Sequence, residues 1–400
     1  MRTYQITLGE QTIGQLLETT TGSVFIHDEQ FGKQRRPPIL SQSLLDNQGK
    51  LLDLAADDDL VAYFANLIPE EGPLRRYLAA RQDVSERDDF ALLAVLGDNL
   101  PGAVKATLTD PPLTQSIDSS AQKAKRDPHW RFSLAGVQMK FSATRSHATW
   151  RLESPEHDGE WIVKLPTRDR PGIIEQEYAI MTLAKHCGLN VPDVELVDLT
   201  RVSDLDERFL SSGSTAFAIR RFDRTETGRV HQEDFCQIFN RGPRLKYGED
   251  AQISAERVLQ VVLELCGSGD AHEWLKRLAF SIAVGNGDAH LKNHALIYPD
   301  GVTPRLSPMY DVVCTLAYPQ YQQSMALSLA GAYRFRDISR ERLQQFASGA
   351  GVSQRILHRA FSEMAERLDE AWSPYSEQVS DERTRLILDH RIRNVLPKLV

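Results

Sequence analysis

One nine-residue segment constrains this chain more than any other: Gly285-Asn286-Gly287-Asp288-Ala289-His290-Leu291-Lys292-Asn293. It follows an apolar helical run at residues 278–284 and precedes a strand-like run at residues 295–298. Gly285 and Gly287 permit a tight loop, and Asp288, His290, Lys292 and Asn293 crowd polar groups into it. Such a loop between buried elements is costly unless its polar groups are satisfied or used. Asp311 follows eighteen residues after Asn293, in Pro308-Met309-Tyr310-Asp311. A second acid at that point suits a magnesium site, because the hard cation takes carboxylate oxygen and keeps other positions for water and phosphate.

Asp288 and Asn293 stand five positions apart. Protein kinases use an Asp-x-x-x-x-Asn arrangement of this spacing, in which the Asp accepts the substrate hydroxyl proton and the Asn holds magnesium. The pair alone also fits a helix-to-strand turn with Asx capping. Phosphoryl transfer further needs a cation on the nucleotide phosphates. Lys164 in Ile162-Val163-Lys164-Leu165-Pro166 fits, since a lysine inside an apolar strand requires a partner. Glu175 or Glu177 in the next helix could reach back to it, the Lys–Glu pairing kinases use. Lys164 alone also reads as an edge-strand gatekeeper. Upstream lies Ser133-Leu134-Ala135-Gly136-Val137-Gln138-Met139-Lys140, where a phosphate-covering loop belongs. It holds one glycine, so it is neither G-x-G-x-x-G nor a Walker A loop, and an ordinary hairpin fits it as well.

At 400 residues the chain is long enough for two or three domains. The apolar fraction of 41% and charged fraction of 26% rule out a disordered chain. A net charge of −8 disfavours broad direct binding to nucleic acid. Residues 41–110 carry 13 acids against 6 bases, either a face for a basic partner or a solvated surface. The 4 cysteines are scattered with no C-x-x-C, which argues against a disulfide scaffold or zinc knuckle and suits a reducing cytoplasm. No signal-like N-terminus and no membrane-length apolar run is present, so a soluble cytoplasmic protein is expected.

The pattern divides into three blocks. Residues 1–120 read as an α+β unit, with antiparallel strands over 3–31 and helix over 60–107, closed by a polar linker at 110–128. Residues 121–224 read as a sheet with one helix at 173–187, capped by Gly188. Residues 225–400 read as mostly helical, interrupted by two short strand-like pieces, near 295–298 and around Tyr310. Trp130, Trp150 and Trp161 are scattered in the sequence and read as core or surface aromatics, not a stacking platform. The second and third blocks suggest a bilobal enzyme.

These pieces, in this order, resemble the HipA family, toxin serine/threonine kinases of bacterial type II toxin–antitoxin systems. The matching runs include Tyr63-Phe64-Ala65-Asn66-Leu67-Ile68-Pro69-Glu70, residues 134–140, residues 162–166, Glu177-Tyr178 and Arg221-Phe222-Asp223-Arg224. They continue with His231-Gln232-Glu233-Asp234-Phe235-Cys236-Gln237, the 285–293 loop and Tyr310-Asp311. The resemblance implies an α+β, bilobal protein-kinase-like fold with an N-terminal α+β subdomain and a mainly helical C-terminal lobe. It implies Asp288 as catalytic base, Asn293 and Asp311 as magnesium ligands, and Lys164 on the ATP phosphates. Ala135, Gly136, Val137 and Gln138 would form the phosphate loop. Asp223 would meet the ribose or adenine side, with Glu177 and His290 counted among the cofactor-binding residues. Ser133 would be autophosphorylated, adding a charge of about −1.5 to −2 that competes with ATP for the loop's donors. The implied partners are a small DNA-binding antitoxin, through which any operator contact runs, and a translation-linked host protein such as an aminoacyl-tRNA synthetase. Arg220 stands where family members often carry Glu.

Three other readings remain open from the residues alone. The nucleotide machinery could serve a small-molecule or lipid substrate. The chain could be a catalytically weak scaffold acting as co-repressor with its antitoxin. A metal-dependent hydrolase could be built on Asp288-x-His290 with His294, in which case zinc would be expected.

Overall fold

The computed structural model describes residues 1–400 except 58, 111–138, 148, 153–157, 204, 206–208, 210–211, 249–252 and 321–322. The first block is a five-stranded antiparallel sheet in the order Leu54–Asp57, Gly22–His27, Gln11–Glu18, Thr3–Leu8, Val104–Asp110. Short helices Ala62–Ala65, Pro73–Arg81 and Asp89–Leu96 pack with it. The helical expectation for 60–107 therefore fails at its end. Residues 104–107 pair with Thr3–Leu8, because a short run of Ala, Val, Thr and Leu fits either period and the neighbouring strand decides.

A second sheet runs in the order Val202–Ser203, Thr149–Leu152, Lys140–Ser146, Trp161–Lys164, Thr215–Arg220, Val194–Asp198. Helix Ile173–His186 packs against its Thr215–Arg220 and Val194–Asp198 strands. The third block is built on helix Ala255–Val284, which is broken at Gly267 by a φ of 83°, and on helix Gln354–Tyr375. It holds more strand than expected. His231–Asp234, Ala295–Tyr298 and Arg305–Leu306 form one small sheet, and Ser324–Leu329 pairs with Ala332–Arg334. The piece around Tyr310 is not a strand but an irregular segment. Its backbone is held by single contacts, such as Met309 N donating to the Asn190 carbonyl at 2.8 Å. Trp150 and Trp161 are core aromatics, as expected. They meet edge to face at 5.2 Å across the second sheet, while Trp130 lies outside the described residues.

Two hydrophobic cores result, and one strand divides them. Along Thr215–Arg220, Ala216 and Ala218 belong to the core shared with the N-terminal block. Phe217 and Ile219 belong to the core of the helical block. Alternating faces of a strand require this split. The chain that leaves this strand runs directly between the two cores, and the cleft opens there.

Candidate active site

A cavity of about 480 Å³ lies along this boundary, within the size range of small-molecule sites. Asp288, His290, Asn293, Asp311, Lys164, Glu177 and Asp223 all line it. The expected residues Ser133, Ala135, Gly136, Val137 and Gln138 lie outside the described residues.

The cation comes from the sheet. Lys164 Nζ donates to Glu177 Oε1 at 2.6 Å and to Asp311 Oδ1 at 2.7 Å. Glu177, not Glu175, is the partner, because it shares the buried face of its helix with Ile173, Ile174, Ile180 and Met181. Strand register sets Lys140 directly opposite Lys164. Like charges so placed repel. Burial, and then the Lys164 charge, draw Lys140 down to about 8. Burial lifts Glu177 to about 7 against the pull of Lys164. Burial also opposes the charge on Lys164, but Asp311 and Glu177 outweigh it and keep the ammonium protonated. For Asp311, burial is likewise outweighed: Lys164 and Lys140 hold its carboxyl well below the usual range. Asp311 has a φ of 57°, a left-handed conformation uncommon outside glycine and typical of constrained functional positions.

The base comes from the loop after helix Ala255–Val284. Gly285 ends that helix with a φ of 70°. Asp288 N donates to Asn286 Oδ1 at 3.1 Å, and Asn293 Nδ2 donates to the Asp288 carbonyl at 2.7 Å. Gly287 is required by close approach, since a Cβ there would lie 2.4 Å from the Ser324 carbonyl oxygen and 2.7 Å from Thr315 Oγ1. Gly287 N donates to Thr315 Oγ1 at 2.9 Å, which seats the loop. The Tyr247 hydroxyl donates to Asp288 Oδ1 at 3.1 Å. Burial, and then the Asp311 charge, lift Asp288 to about 6. A carboxylate tuned near neutral pH can accept a proton and give it up again.

Burial pulls His290 down to about 3, so the ring is neutral, and its Nδ1 lacks a partner among the described residues. Asn293 gives its amide nitrogen to the loop and keeps its amide oxygen, and both Asn293 and Asp311 line the cavity. These two oxygen donors fit magnesium better than a softer metal. No cluster of three or more His, Cys, Asp or Glu suited to a metal occurs among the described residues, so a zinc-type donor set is not found there.

Asp223 is arranged differently. Its carboxylate accepts from Arg221 Nε and Nη2 at 2.9 Å each, Gly102 N at 2.7 Å and Arg224 Nη1 at 3.0 Å. Arg221 also reaches Asn99 and Ser142, both at 3.2 Å. The hub ties the N-terminal block to the strand that joins the lobes. Arg220 is exposed, with Asp193 4.0 Å away.

Sequence reasoning missed Lys246 and Tyr247 as cavity residues. Lys140 closes the expected phosphate-loop run, and its place beside Lys164 comes from cross-strand register. Nothing in the 241–248 segment announces its approach to Asp288.

The model of the HipA N-terminal domain matches residues 4–107, and that of the HipA-like C-terminal domain matches residues 132–372. A putative kinase of Sinorhizobium fredii, Y4dM, is 38% identical over 355 residues, covering 88% of this chain and 86% of that protein. The serine/threonine-protein kinase toxin HipA of Shewanella oneidensis is 25% identical over 409 residues, covering 92% of this chain and 88% of that protein. A solved structure of Shewanella oneidensis HipA, in complex with HipB and its operator DNA, superposes with a TM-score of 0.71 at 22% identity. The match covers 99% of this chain and 96% of that one, and it shows the bilobal α+β fold.

Proposed function

This chain belongs to the HipA family, and from that premise we propose that it is an ATP-dependent serine/threonine protein kinase, the toxin of a toxin–antitoxin pair. The observation that carries the reading is the convergence of Lys164, Glu177, Asp311 and Asp288 on one cavity. The kinase Lys–Glu pair and a metal-binding acid must both be in place for phosphoryl transfer, and here one ammonium bridges the two.

In this reading Lys164 and Lys140 bind the phosphates of ATP, and Asn293 and Asp311 hold magnesium. The bound ion supplies neutralisation of phosphate charge. Asp288 orients a serine or threonine hydroxyl and accepts its proton as the oxygen bonds to the γ-phosphorus and the bond from that phosphorus to the leaving ADP oxygen breaks. Tyr247 keeps the Asp288 carboxylate aimed through its hydroxyl. His290, neutral, lines the cavity beside Asp288 and contacts the nucleotide. Residues 135–138, outside the described residues, have the role of binding the phosphates, and Ser133 is the site of self-modification that silences the enzyme. The partner is a DNA-binding antitoxin, as HipB is for the Shewanella protein, and the target is a translation-linked host protein.

Intact mass before and after incubation with ATP and magnesium tests this, with tandem mass spectrometry to place the phosphate and Asp288→Asn as control. One phosphoryl group on Ser133, absent from the control, is expected. No phosphate on the protein or on added protein substrates, together with no nucleotide binding, would overturn the kinase reading.

A further inference from the structure

Residues 63–70 stand out in the sequence, yet no step of phosphoryl transfer uses them. Their contacts run straight to the catalytic loop. Gln237 Nε2 donates to the Tyr63 carbonyl at 3.0 Å, and Asn66 Nδ2 donates to the Arg241 carbonyl at 2.7 Å. The segment is thus fastened to the helical lobe. Its Asn66 carbonyl then accepts from Lys292 Nζ at 3.3 Å. Glu70 accepts from Lys246 Nζ at 2.8 Å and stands 3.6 Å from Lys292 Nζ.

Lys292 lies between Asp288 and Asn293, with its side chain 6% exposed. An ammonium so buried needs compensation. It has three donors, and the Asn66 carbonyl takes one. At 3.6 Å the Glu70 carboxylate attracts it without closing a hydrogen bond. Lys292 lines the same cavity as Lys164, and its charge is felt at Lys140. Four ammonium groups therefore line one cavity: Lys140 and Lys164 from the sheet, Lys246, and Lys292 from the catalytic loop. Of these, Lys164 holds two carboxylates within 2.7 Å. Lys246 meets Glu70 at 2.8 Å, whereas Lys140 and Lys292 have no carboxylate within hydrogen-bond distance among the described residues, although Asp234 acts on Lys292 from further off. Ammonium groups left so on a cavity wall suit a phosphate.

We propose that Lys292 contacts the terminal phosphate of the nucleotide and that Glu70, from the N-terminal unit, is the positioning residue that holds Lys292 and Lys246 in the cleft. The inference rests on the kinase reading. It assigns the N-terminal α+β unit a part in the active site: the Asn66–Leu67–Ile68–Pro69–Glu70 strap braces the loop that carries Asp288.

The test is calorimetric titration of the full chain with ADP and with a non-hydrolysable ATP analogue, beside turnover and thermal melting. Lys292→Met should weaken the analogue about tenfold or more relative to ADP, the worth of one charge-assisted hydrogen bond. Lys292→Arg should restore most of that preference. Glu70→Gln should cut turnover about tenfold, the usual cost of losing an orienting partner, and shift the preference in the same direction. Glu71→Gln is the control, because Glu71 sits next in the chain but pairs with Arg244 at the exposed surface; it should change neither quantity. A purely structural lysine would lower the melting temperature and leave the ADP-to-analogue preference unchanged, and that result would overturn the proposal. Should Lys292→Met not fold, an unchanged preference in Glu70→Gln overturns it alone. A wild-type chain that binds neither nucleotide would instead sink the kinase reading.

Discussion

Asp223 and Asp288 line the same cavity and meet opposite fates. Around Asp223, two guanidinium groups, a backbone amide and the Gln232 side chain donate to the carboxylate. Burial opposes its charge, yet Arg221 and Arg224 hold it well below the ordinary carboxylate range. Around Asp288, one tyrosine hydroxyl reaches the carboxylate, and burial lifts it to about 6. The difference separates structure from chemistry. A buried acid whose oxygens are all engaged fastens two parts of the fold together. One that keeps an open oxygen and a raised pKa can exchange a proton.

Asp223→Ala puts the largest strain on this contrast. It strands Arg221 and Arg224, whose side chains are 0% and 5% exposed, and breaking a buried pair in this way costs about 3–5 kcal/mol. A large fall in melting temperature is expected, with ATP affinity near wild type in the fraction that stays folded. An unchanged melting temperature with lost nucleotide affinity would instead make Asp223 the ribose or adenine contact that the sequence reading expects. Gly287→Ala is the milder probe on the other side. Its Cβ would press on the Ser324 carbonyl and Thr315, and overpacking costs about 1–3 kcal/mol. The loop should shift, so turnover should fall by more than the loss of stability accounts for. Equal turnover in wild type and variant would show that the seat of the loop does not govern the chemistry.

Much of the site is legible in the sequence alone. The spacing of Asp288, Asn293 and Asp311 identified the loop and the second acid, and the lysine inside an apolar strand announced a partner. The choice of Glu177 over Glu175 was also within reach, because helical period places Glu177 with Ile173, Ile174 and Ile180. What could not be read is long-range. Lys140 acquires its meaning from the strand opposite, Tyr247 from a loop that folds back over 41 positions to Asp288, and Glu70 from a different block of the chain. The strand at Val104–Asp110 and the irregular path around Tyr310 were misread for a related reason. Short apolar runs have no period of their own, and their neighbours decide.

The most direct measurement is the pH dependence of phosphoryl transfer from ATP, for wild type and for Asp288→Asn. A base must be ionised to act, so a carboxyl raised to about 6 predicts a rate that is level above that pH and falls about tenfold per pH unit below it. Asp288→Asn should lose transfer by roughly 10²–10⁴-fold, as expected when a positioned base is removed, and should lose that pH limb as well. A variant that keeps the wild-type rate and the same limb would contradict the account, because the proton would then be going elsewhere.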